Sequence, residues 1–450
     1  MITKLQTFLY PLYKASSSST HFIFSRVTSL GAMMLVLLPI ITAIFLAYFK
    51  LATLSLLVIL IGVFSFSFLM LWVRGGKIEV QKRRLPKHAT VGSELFYSVD
   101  YFNLSPKALN SAILHDLPQD SRPTKHEFIT SREPLESNRN VFDRIFAYYR
   151  WLWLASKKMK FESIPKVLPP LSGGEQGSLS LSCTPLRRGK LIFQNMRLFM
   201  PDPLCLLQRS SKVNSSDDSV LVLPKRYKLP DLVLDGDARD HSGGRSYSSI
   251  SGMSDDFRGL RSYRPGDPIK HIDWGAWART GKPVIREYEN VFFPRYALVL
   301  DTNGSYENSE RFEEAISIAA SFASAVDTQE CLIDLMFLNQ GVQTVTVGKG
   351  VAKSEKLLES LATLEVELEP DWRSLSEQVL RHASSFSSCI VIFNELTDER
   401  LDLINEWRSS GLNLLILVIV SEDESSQDIT NAGAIPIREN AVQQDLLKLL

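Results

Sequence analysis

The sequence predicts a multidomain membrane protein: a transmembrane helical hairpin, then an antiparallel β-sandwich-like domain, then a doubly wound α/β domain. Three patterns lead to this prediction. Two unbroken apolar runs lie near the N-terminus, period-two alternation follows them, and apolar strands alternate with amphipathic helices in the last third of the chain. With 450 residues, the chain is long enough for two or three domains that each bury a core.

The apolar runs extend from 29 to 49 and from 51 to 73, and only Lys50 separates them. Each is long enough to cross about 30 Å of hydrocarbon as a helix. Basic residues flank the pair on both sides, namely Lys4, Lys14, Arg26, Arg74, Lys77, Lys82, Arg83, Arg84 and Lys87. Because flanking lysine and arginine stay in the cytoplasm, we expect a cytoplasmic segment over 1–28, a hairpin over 29–73 and a largely cytoplasmic remainder. A buried hairpin in a soluble protein is the alternative, which the length of the runs disfavours.

Residues 74–225 carry the alternation that is typical of β-strands. The stretches ELFYSVDYFN and GSLSLSCTPL each place apolar side chains on one face and polar side chains on the other. The inward residues are Leu95, Tyr97, Val99 and Tyr101 in the first stretch, and Leu179, Leu181 and Cys183 in the second. Turn-forming residues separate such runs, which favours a small antiparallel sandwich or barrel.

A segment near residues 138–162 departs from this β pattern. It contains VFDRIFAYYRWLWLASKKMK, with apolar side chains at helical spacing and a basic end. One interpretation is an interfacial helix on the lipid headgroups, where Trp, Tyr and Lys are favoured. The other is an inserted helix that is docked on the sandwich.

Residues 226–290 begin with a linker rich in Gly, Ser and Asp (234–254) that fits no nucleotide-binding fingerprint. They continue with the signature segment, RGLRSYRPGDPIKHIDWGAWARTGKPVIREYE, which is dense in both charges. Partly buried guanidinium groups need carboxylate partners, because an unpaired desolvated charge costs several kcal/mol. We therefore predict a packed cluster of ion pairs, sealed by Trp274 and Trp277. Its members would be Arg261, Arg264, Arg279 and Arg286 with Asp267, Asp273, Glu287 and Glu289.

The order of residues in this segment resembles the signature of a bacterial family called domain of unknown function 58. The matching positions include Arg261, Tyr263, Arg264, Pro265, Gly266, Asp267, Asp273, Trp274, Arg279, Thr280, Arg286 and Glu287. His271 stands where the family usually has Arg, and Gly275 stands where Lys is common. A second segment, RRGKLIFQNMRLFMPDPLCL, resembles the same family, but Cys205 takes the place of a Gly in its turn.

This resemblance implies a location and partners. Such proteins are two-pass proteins of the bacterial inner (cytoplasmic) membrane, commonly encoded beside MoxR-like AAA+ ATPases and sometimes beside transglutaminase-like membrane proteins. It also implies a von Willebrand factor A-like domain at the C-terminus.

Residues 291–450 show the βαβ series that predicts a largely parallel sheet with helices on both faces. In such sheets, ligands bind beyond the carboxyl ends of the strands, where Asp301 and Asn394 follow two apolar runs. The first loop resembles the Asp-x-Ser-x-Ser metal-adhesion loop of von Willebrand factor A domains. The candidate Mg²⁺ ligands are Asp301, Asn303, Ser305, Glu395 and Asp398, with Thr363 as a candidate from a third loop. In the alternative interpretation, Asp301 and Ser305 only cap the following structure.

Two functions remain open at this stage. The first is a membrane-anchored scaffold or adaptor that works with a MoxR-like ATPase in the assembly or maturation of envelope proteins. The second is a metal-dependent hydrolase built on Asp267, His271 and Asp273. The chain has no HExxH motif and no nucleophile elbow, which disfavours the enzyme. A net charge of zero disfavours nucleic acid as a partner, and four widely spaced cysteines indicate reduced thiols.

Overall fold

The structure, a computed structural model, describes most of the chain. The described residues are 2–48, 51–73, 76–133, 136–214, 218–230, 257–288, 295–303, 309–325, 332–339, 341–348, 354–367, 370–421 and 426–449. The predicted linker over 234–254 therefore lies outside the described residues, as do Glu289 and Ser305.

The chain begins with three long helices, α1 (Ile2–Phe24), α2 (Ser29–Tyr48) and α3 (Leu51–Val73). Helices α2 and α3 are long and apolar enough to cross a membrane, and few of their residues are buried inside the protein. The two predicted apolar helices are thus confirmed as a candidate membrane anchor. The membrane they cross and their orientation stay predictions.

Helix α1 belongs to a small helical subdomain. Its other helices are α4 (Lys125–Thr130), a 3-10 helix (Glu136–Asn138), α5 (Val141–Phe146) and α6 (Tyr148–Lys158). Tyr10 of α1 lies against Trp151 of α6, with ring centroids 5.8 Å apart. The buried Arg150 donates from Nε to Oε2 of Glu136 at 2.9 Å. The inserted helix is therefore docked, but on α1 and α4 rather than on the sandwich, because their aromatic rings supply its apolar partners.

Large apolar side chains of this subdomain are exposed: Phe8 is 66% exposed and Phe142 is 74% exposed. Contact of the inserted helical segment near residues 138–162 with the bilayer stays a prediction.

In its described residues, the β-domain contains eleven strands in three sheets. The strands are β1 (Ile78–Arg83), β2 (His88–Thr90), β3 (Leu95–Asn103), β4 (Ile113–Asp116), β5 (Phe161–Ser163), β6 (Lys166–Val167), β7 (Gln176–Pro185), β8 (Gly189–Phe193), β9 (Met196–Pro201), β10 (Gln208–Lys212) and β11 (Asp218–Leu223). The sheet orders are β1-β3-β7-β5, β10-β9-β4-β6 and β2-β11-β8. Every pairing is antiparallel except that of β11 with β2. The predicted inward residues of β3 are buried, as alternation in a half-buried strand requires.

A buried ion pair lies in the core of this domain. Lys82 Nζ is 3.3 Å from Asp116 Oδ2, and both side chains are almost fully buried. Tyr97 donates its hydroxyl to the same carboxylate oxygen at 3.1 Å. Lys82 therefore belongs to the core, although the sequence places it among the basic residues that flank the membrane spans.

The turn at 202–206 joins the β-domain to the membrane helices. The buried Asp202 accepts hydrogen bonds from Leu206 N at 2.7 Å and from the hydroxyl of Ser67 in α3. At the start of α2, a Cβ on Gly31 would come within 2.0 Å of the carbonyl oxygen of Leu206, so only glycine fits there. Cys205 has a φ of +53°, in the left-handed region that glycine tolerates best. The resembled family has glycine at this position, so the cysteine imposes local strain on the backbone.

We expect Cys205→Gly to raise the free energy of unfolding of the β-domain by about 1 kcal/mol, because glycine relieves the left-handed strain. Cys205→Ala is the matched control, since alanine keeps the Cβ and should give no gain. Thermal melting of the detergent-solubilised protein measures the difference. Equal melting temperatures for the parent and the glycine variant would contradict the strain.

The signature segment forms its own small unit. It consists of β12 (Phe257–Ser262), a 3-10 helix (Ile269–His271), α7 (Trp274–Thr280) and β13 (Val284–Tyr288). Strands β12 and β13 pair antiparallel. We call this unit the signature hairpin.

The C-terminal α/β domain has a six-stranded sheet covered on both faces. Its strands are β14 (Arg295–Leu300), β15 (Leu332–Leu338), β16 (Val342–Gly348), β17 (Ser388–Phe393), β18 (Leu414–Val420) and β19 (Ile435–Arg438). Its helices are α8 (Ser309–Ala325), α9 (Ser354–Thr363), α10 (Trp372–Arg381), a 3-10 helix (Ala383–Ser385), α11 (Asp398–Ser409), α12 (Ser426–Asn431) and α13 (Val442–Leu446). The strand order is β16-β15-β14-β17-β18-β19, and only β16 is antiparallel to its neighbour. Strand order reverses at β14 and β17, so their carboxyl ends flank the crevice where such sheets bind ligands.

Candidate functional site

The turn RPGD holds Asp267 beside Arg261 in the signature hairpin. Arg261 donates from Nη1 and Nη2 to the two carboxylate oxygens at 2.7 and 2.8 Å. The amide of Arg264 donates to the same carboxylate at 2.8 Å, and Gly266 closes the turn with a φ of +104°. The Arg261 guanidinium, helped by this amide, lowers the pKa of Asp267 to about 2. The carboxylate is thus ionised and fully engaged at neutral pH.

Asp273 has two partners. Its Oδ1 accepts from Ala276 N at 2.8 Å, which caps α7, and its Oδ2 accepts from Arg286 Nε at 2.9 Å. The amide of Ala276 and then Arg286 lower the pKa of Asp273 below its usual range. Arg279 donates to the carbonyl oxygen of Gly275 at 3.2 Å, and Thr280 donates to that of Ala276 at 2.9 Å.

The predicted ion pairs of Arg261 and Arg286 are present, and the first is partly buried, as predicted, whereas the second is exposed. The side chain of Arg261 is 34% exposed and that of Arg286 is 50% exposed. Trp274 stacks on Trp277 at 5.3 Å between ring centroids and is 62% exposed, so it seals nothing. A two-stranded sheet with a seven-residue helix buries too little surface to exclude water. The side chain of Glu287 and all of Glu289 lie outside the description.

The geometry does not favour the hydrolase. A general base or a metal ligand needs a lone pair that is free to reach a substrate or a metal. The carboxylate oxygens of Asp267 and Asp273 instead accept hydrogen bonds from arginine side chains and backbone amides. Among the described residues, no group of three or more His, Cys, Asp and Glu side chains lies close enough to hold a metal ion.

We expect Asp273→Ala to disorder α7 and leave the melting temperature of the rest of the protein unchanged, because the pair is exposed and local. Asp273→Asn keeps an oxygen that can cap the helix and should retain most of α7. Tryptophan fluorescence of the Trp274–Trp277 stack and limited proteolysis within 257–288 measure the change. A large drop in the global melting temperature would restore the buried interpretation.

At the carboxyl edge of the α/β sheet, Asp301 is fully buried at the end of β14. Its Oδ1 accepts from Asn303 N at 2.8 Å, and its Oδ2 accepts from Asn394 N at 3.2 Å. Arg400 of α11 places Nη2 at 2.8 Å from the same Oδ2, and its side chain is only 3% exposed. Burial raises the pKa of Asp301 to about 6, and the Arg400 guanidinium opposes that rise. The counterion of Asp301 is therefore supplied by the chain itself.

The other predicted Mg²⁺ ligands divide into two groups. Asn303 and Glu395 lie at this edge: the backbone carbonyl oxygen of Asn303 accepts from Asn394 Nδ2 at 2.7 Å, and the Glu395 carboxylate accepts from Arg400 Nη1 at 3.1 Å. Asp398 is exposed in the first turn of α11, and Thr363 donates within α9 to the carbonyl oxygen of Ser360.

The described residues do not fit Mg²⁺, which requires several free oxygen ligands, because Arg400 neutralises Asp301 and engages Glu395. The contribution of Ser305 stays a prediction. Sequence reasoning missed Arg400. The available signal was the need of a buried aspartate for a counterion.

We expect Arg400→Met to lower the free energy of unfolding of the α/β domain by about 3–5 kcal/mol, because it leaves a buried carboxylate unpaired. The double variant Asp301→Ala/Arg400→Met should lose less, since neither charge is then left alone. Chemical denaturation measures both.

The same denaturation measurements test whether Mg²⁺ binds beside Asp301. Added Mg²⁺ should leave the stability of the parent unchanged, because Arg400 already balances Asp301. A parent that is stabilised by millimolar Mg²⁺ would contradict the absence of a metal at this place.

The signature hairpin and most of the α/β domain match a known family. The family is Protein of unknown function DUF58, and the match covers residues 259–447, which is less than half of the chain. We call this stretch the DUF58 region. The "Uncharacterized protein YeaD" of Bacillus subtilis (strain 168) is 22% identical over 232 residues. That alignment covers 50% of this chain and 56% of the relative, so the chain spans about half the length of this curated protein.

Solved structures give weaker likenesses. One is proximal thread matrix protein 1 from the mussel byssus, with a zinc-occupied MIDAS motif, at a TM-score of 0.28 and 10% identity over 35% of this chain and 47% of that one. Another is the CARDB domain of PF1109 from Pyrococcus furiosus, at a TM-score of 0.17 and 12% identity over 33% of this chain and 89% of that one. Scores this low carry no argument about fold or ligands.

Proposed function

We propose that this protein is a membrane-anchored scaffold or adaptor that binds a MoxR-like AAA+ ATPase in the assembly or maturation of envelope proteins. In this proposal it sits in the bacterial inner membrane with the bulk of the chain in the cytoplasm. A transglutaminase-like membrane protein is a further partner, and the α/β domain is of the von Willebrand factor A-like kind.

One observation carries the proposal: the segment that resembles the family signature presents exposed apolar and charged side chains. Its ion pairs, one partly buried and one exposed, shape a small hairpin rather than a core. Exposed charged and aromatic residues in a defined geometry are typical of a surface that binds a partner.

The chemistry of this surface fits a protein partner. Ile269 is 67% exposed, Trp274 is 62% exposed and Leu260 is 47% exposed, and Leu260 lies opposite Arg286 in the paired strands. Tryptophan and arginine are enriched among the residues that dominate binding energy at protein interfaces. The hairpin therefore offers exposed apolar anchors together with arginines.

The candidate membrane helices are attached to the β-domain by direct contacts. Helices α2 and α3 contact the β-domain through Gly31, Ser67 and Asp202, so the membrane spans are tied to the folded part of the chain. Because Arg400 balances Asp301, the proposed contact with the partner does not need Mg²⁺.

We expect Trp274→Ala to weaken capture of the ATPase by roughly thirtyfold or more in Kd, the loss typical of an interface tryptophan. Leu447→Ala is the matched control, because Leu447 is an exposed apolar residue that belongs to the α/β domain and not to the hairpin. The measurement is a pull-down of the purified ATPase by the detergent-solubilised full chain, with melting temperatures recorded for each variant. Chelation is a poor test here, since it would also strip Mg²⁺ from the nucleotide of the ATPase.

Three outcomes separate the possibilities. Loss of the ATPase with Trp274→Ala alone supports the hairpin as the binding surface. Equal capture by the parent and by both variants would exclude the hairpin. No capture by the parent would remove the proposed partner.

A further inference from the structure

A cavity of about 350 Å³ lies beside the end of α6 and strand β8. Five cationic side chains line it, and Asp120 is the one lining residue with a carboxylate. The cations are Lys157, Lys158, Lys160, Arg187 and Arg188. We call this cavity the basic pocket. Its volume falls within the range of ordinary ligand sites.

Several of these charges already have partners. Lys158 Nζ is 2.6 Å from Glu127 Oε2, and Arg188 pairs with Glu313 of α8. Asp120, for its part, accepts from Arg122 Nε at 2.7 Å, so it does not neutralise the pocket. The ion pairs at the rim therefore leave the pocket itself positive.

Two cations remain available to a ligand. No carboxylate pairs with Arg187 in the described part of the chain, and Lys160 Nζ only reaches the carbonyl oxygen of Lys190 at 3.5 Å. Lys157, a third cation of the pocket, is partly buried. Burial lowers its pKa to about 8, with Arg187 adding to the effect and Glu310 opposing it. At pH 7 most of this ammonium group is still charged.

We propose that the basic pocket binds a phosphate-bearing anion, with Arg187 and Lys160 as direct contacts and Lys157 as an additional charge. Guanidinium and ammonium groups form strong charge-assisted hydrogen bonds to phosphate oxygens. The phosphate would belong either to a soluble ligand or to a phospholipid headgroup, since the recognising chemistry is the same. A bound anion would bridge α6 and the turn before β8, close to the ion pair of Arg188 with Glu313 that reaches the α/β domain.

The first arm of the test uses the full chain in nanodiscs of zwitterionic phosphatidylcholine, with pyrophosphate as the soluble probe in isothermal titration calorimetry. We expect Arg187→Gln and Lys160→Gln each to weaken pyrophosphate binding by about tenfold, the loss of one charge-assisted contact. Lys356→Gln, on the exposed side of α9, is the matched control and should bind as the parent does. Arg188 is left intact because it joins two domains.

The second arm distinguishes the source of the phosphate. The parent and Arg187→Gln are placed in nanodiscs that contain phosphatidylglycerol, and native mass spectrometry counts the anionic lipid retained after the nanodisc is released. A headgroup is identified if the parent retains phosphatidylglycerol, Arg187→Gln does not, and the parent binds pyrophosphate more weakly in these nanodiscs than in phosphatidylcholine. Binding of pyrophosphate that is indifferent to phosphatidylglycerol identifies a soluble ligand.

The proposal is overturned if the parent binds neither probe. It is equally overturned if Arg187→Gln and Lys160→Gln match the parent in both arms while their melting temperatures show that they are folded. Neither result depends on the ATPase, so failure here and failure of the proposed function are separate outcomes.

Discussion

The arrangement of the β-domain and the α/β domain depends on the contacts of the Arg188 guanidinium. It donates from Nε to the carbonyl oxygen of Leu361 at 3.1 Å and from Nη2 to that of Leu364 at 2.6 Å, at the C-terminal end of α9. It also pairs with Glu313 and lies 5.2 Å from the centroid of Phe312. A buried cation at a helix C-terminus meets the partial negative charge of the last carbonyl groups. Arg188 of the β-domain thus forms polar contacts with two helices of the α/β domain, α8 and α9.

Other contacts reinforce this joint. His88 lies between Glu355 and Glu359 of α9, with its ring nitrogens at 3.2 and 2.8 Å from their carboxylates. Leu223, at the end of β11, packs into the apolar core of the α/β domain. Elsewhere in the β-domain, Asp202 accepts a hydrogen bond from Ser67 of α3. A continuous series of contacts therefore runs from the candidate membrane helices α2 and α3 through the β-domain to the α/β domain.

Charges have two separate uses in this protein. The pairs Lys82–Asp116 and Asp301–Arg400 are buried within the β-domain and the α/β domain respectively, and Arg188–Glu313, with Arg188 buried, joins the two domains. The arginines of the signature hairpin pairs keep a third to a half of their side chains in water, where an ion pair adds little stability. The DUF58 region thus combines a buried pair at the sheet edge with a surface whose charges set shape rather than core stability. This division is the physical basis for regarding the hairpin as a binding surface.

The sequence by itself determined the features that depend on short stretches of chain. Apolar length predicted α2 and α3, alternation predicted the inward face of β3, and the density of both charges predicted that the arginines of the signature segment pair with its carboxylates. The tertiary structure alone decided which side chains are buried and which distant charges meet. Lys82 in the core, Arg400 against Asp301 and the exposed Trp274 could not be read from a local pattern. The physical reason is that periodicity is fixed by backbone geometry within a few residues, whereas desolvation and the choice of a counterion depend on residues far apart in the chain.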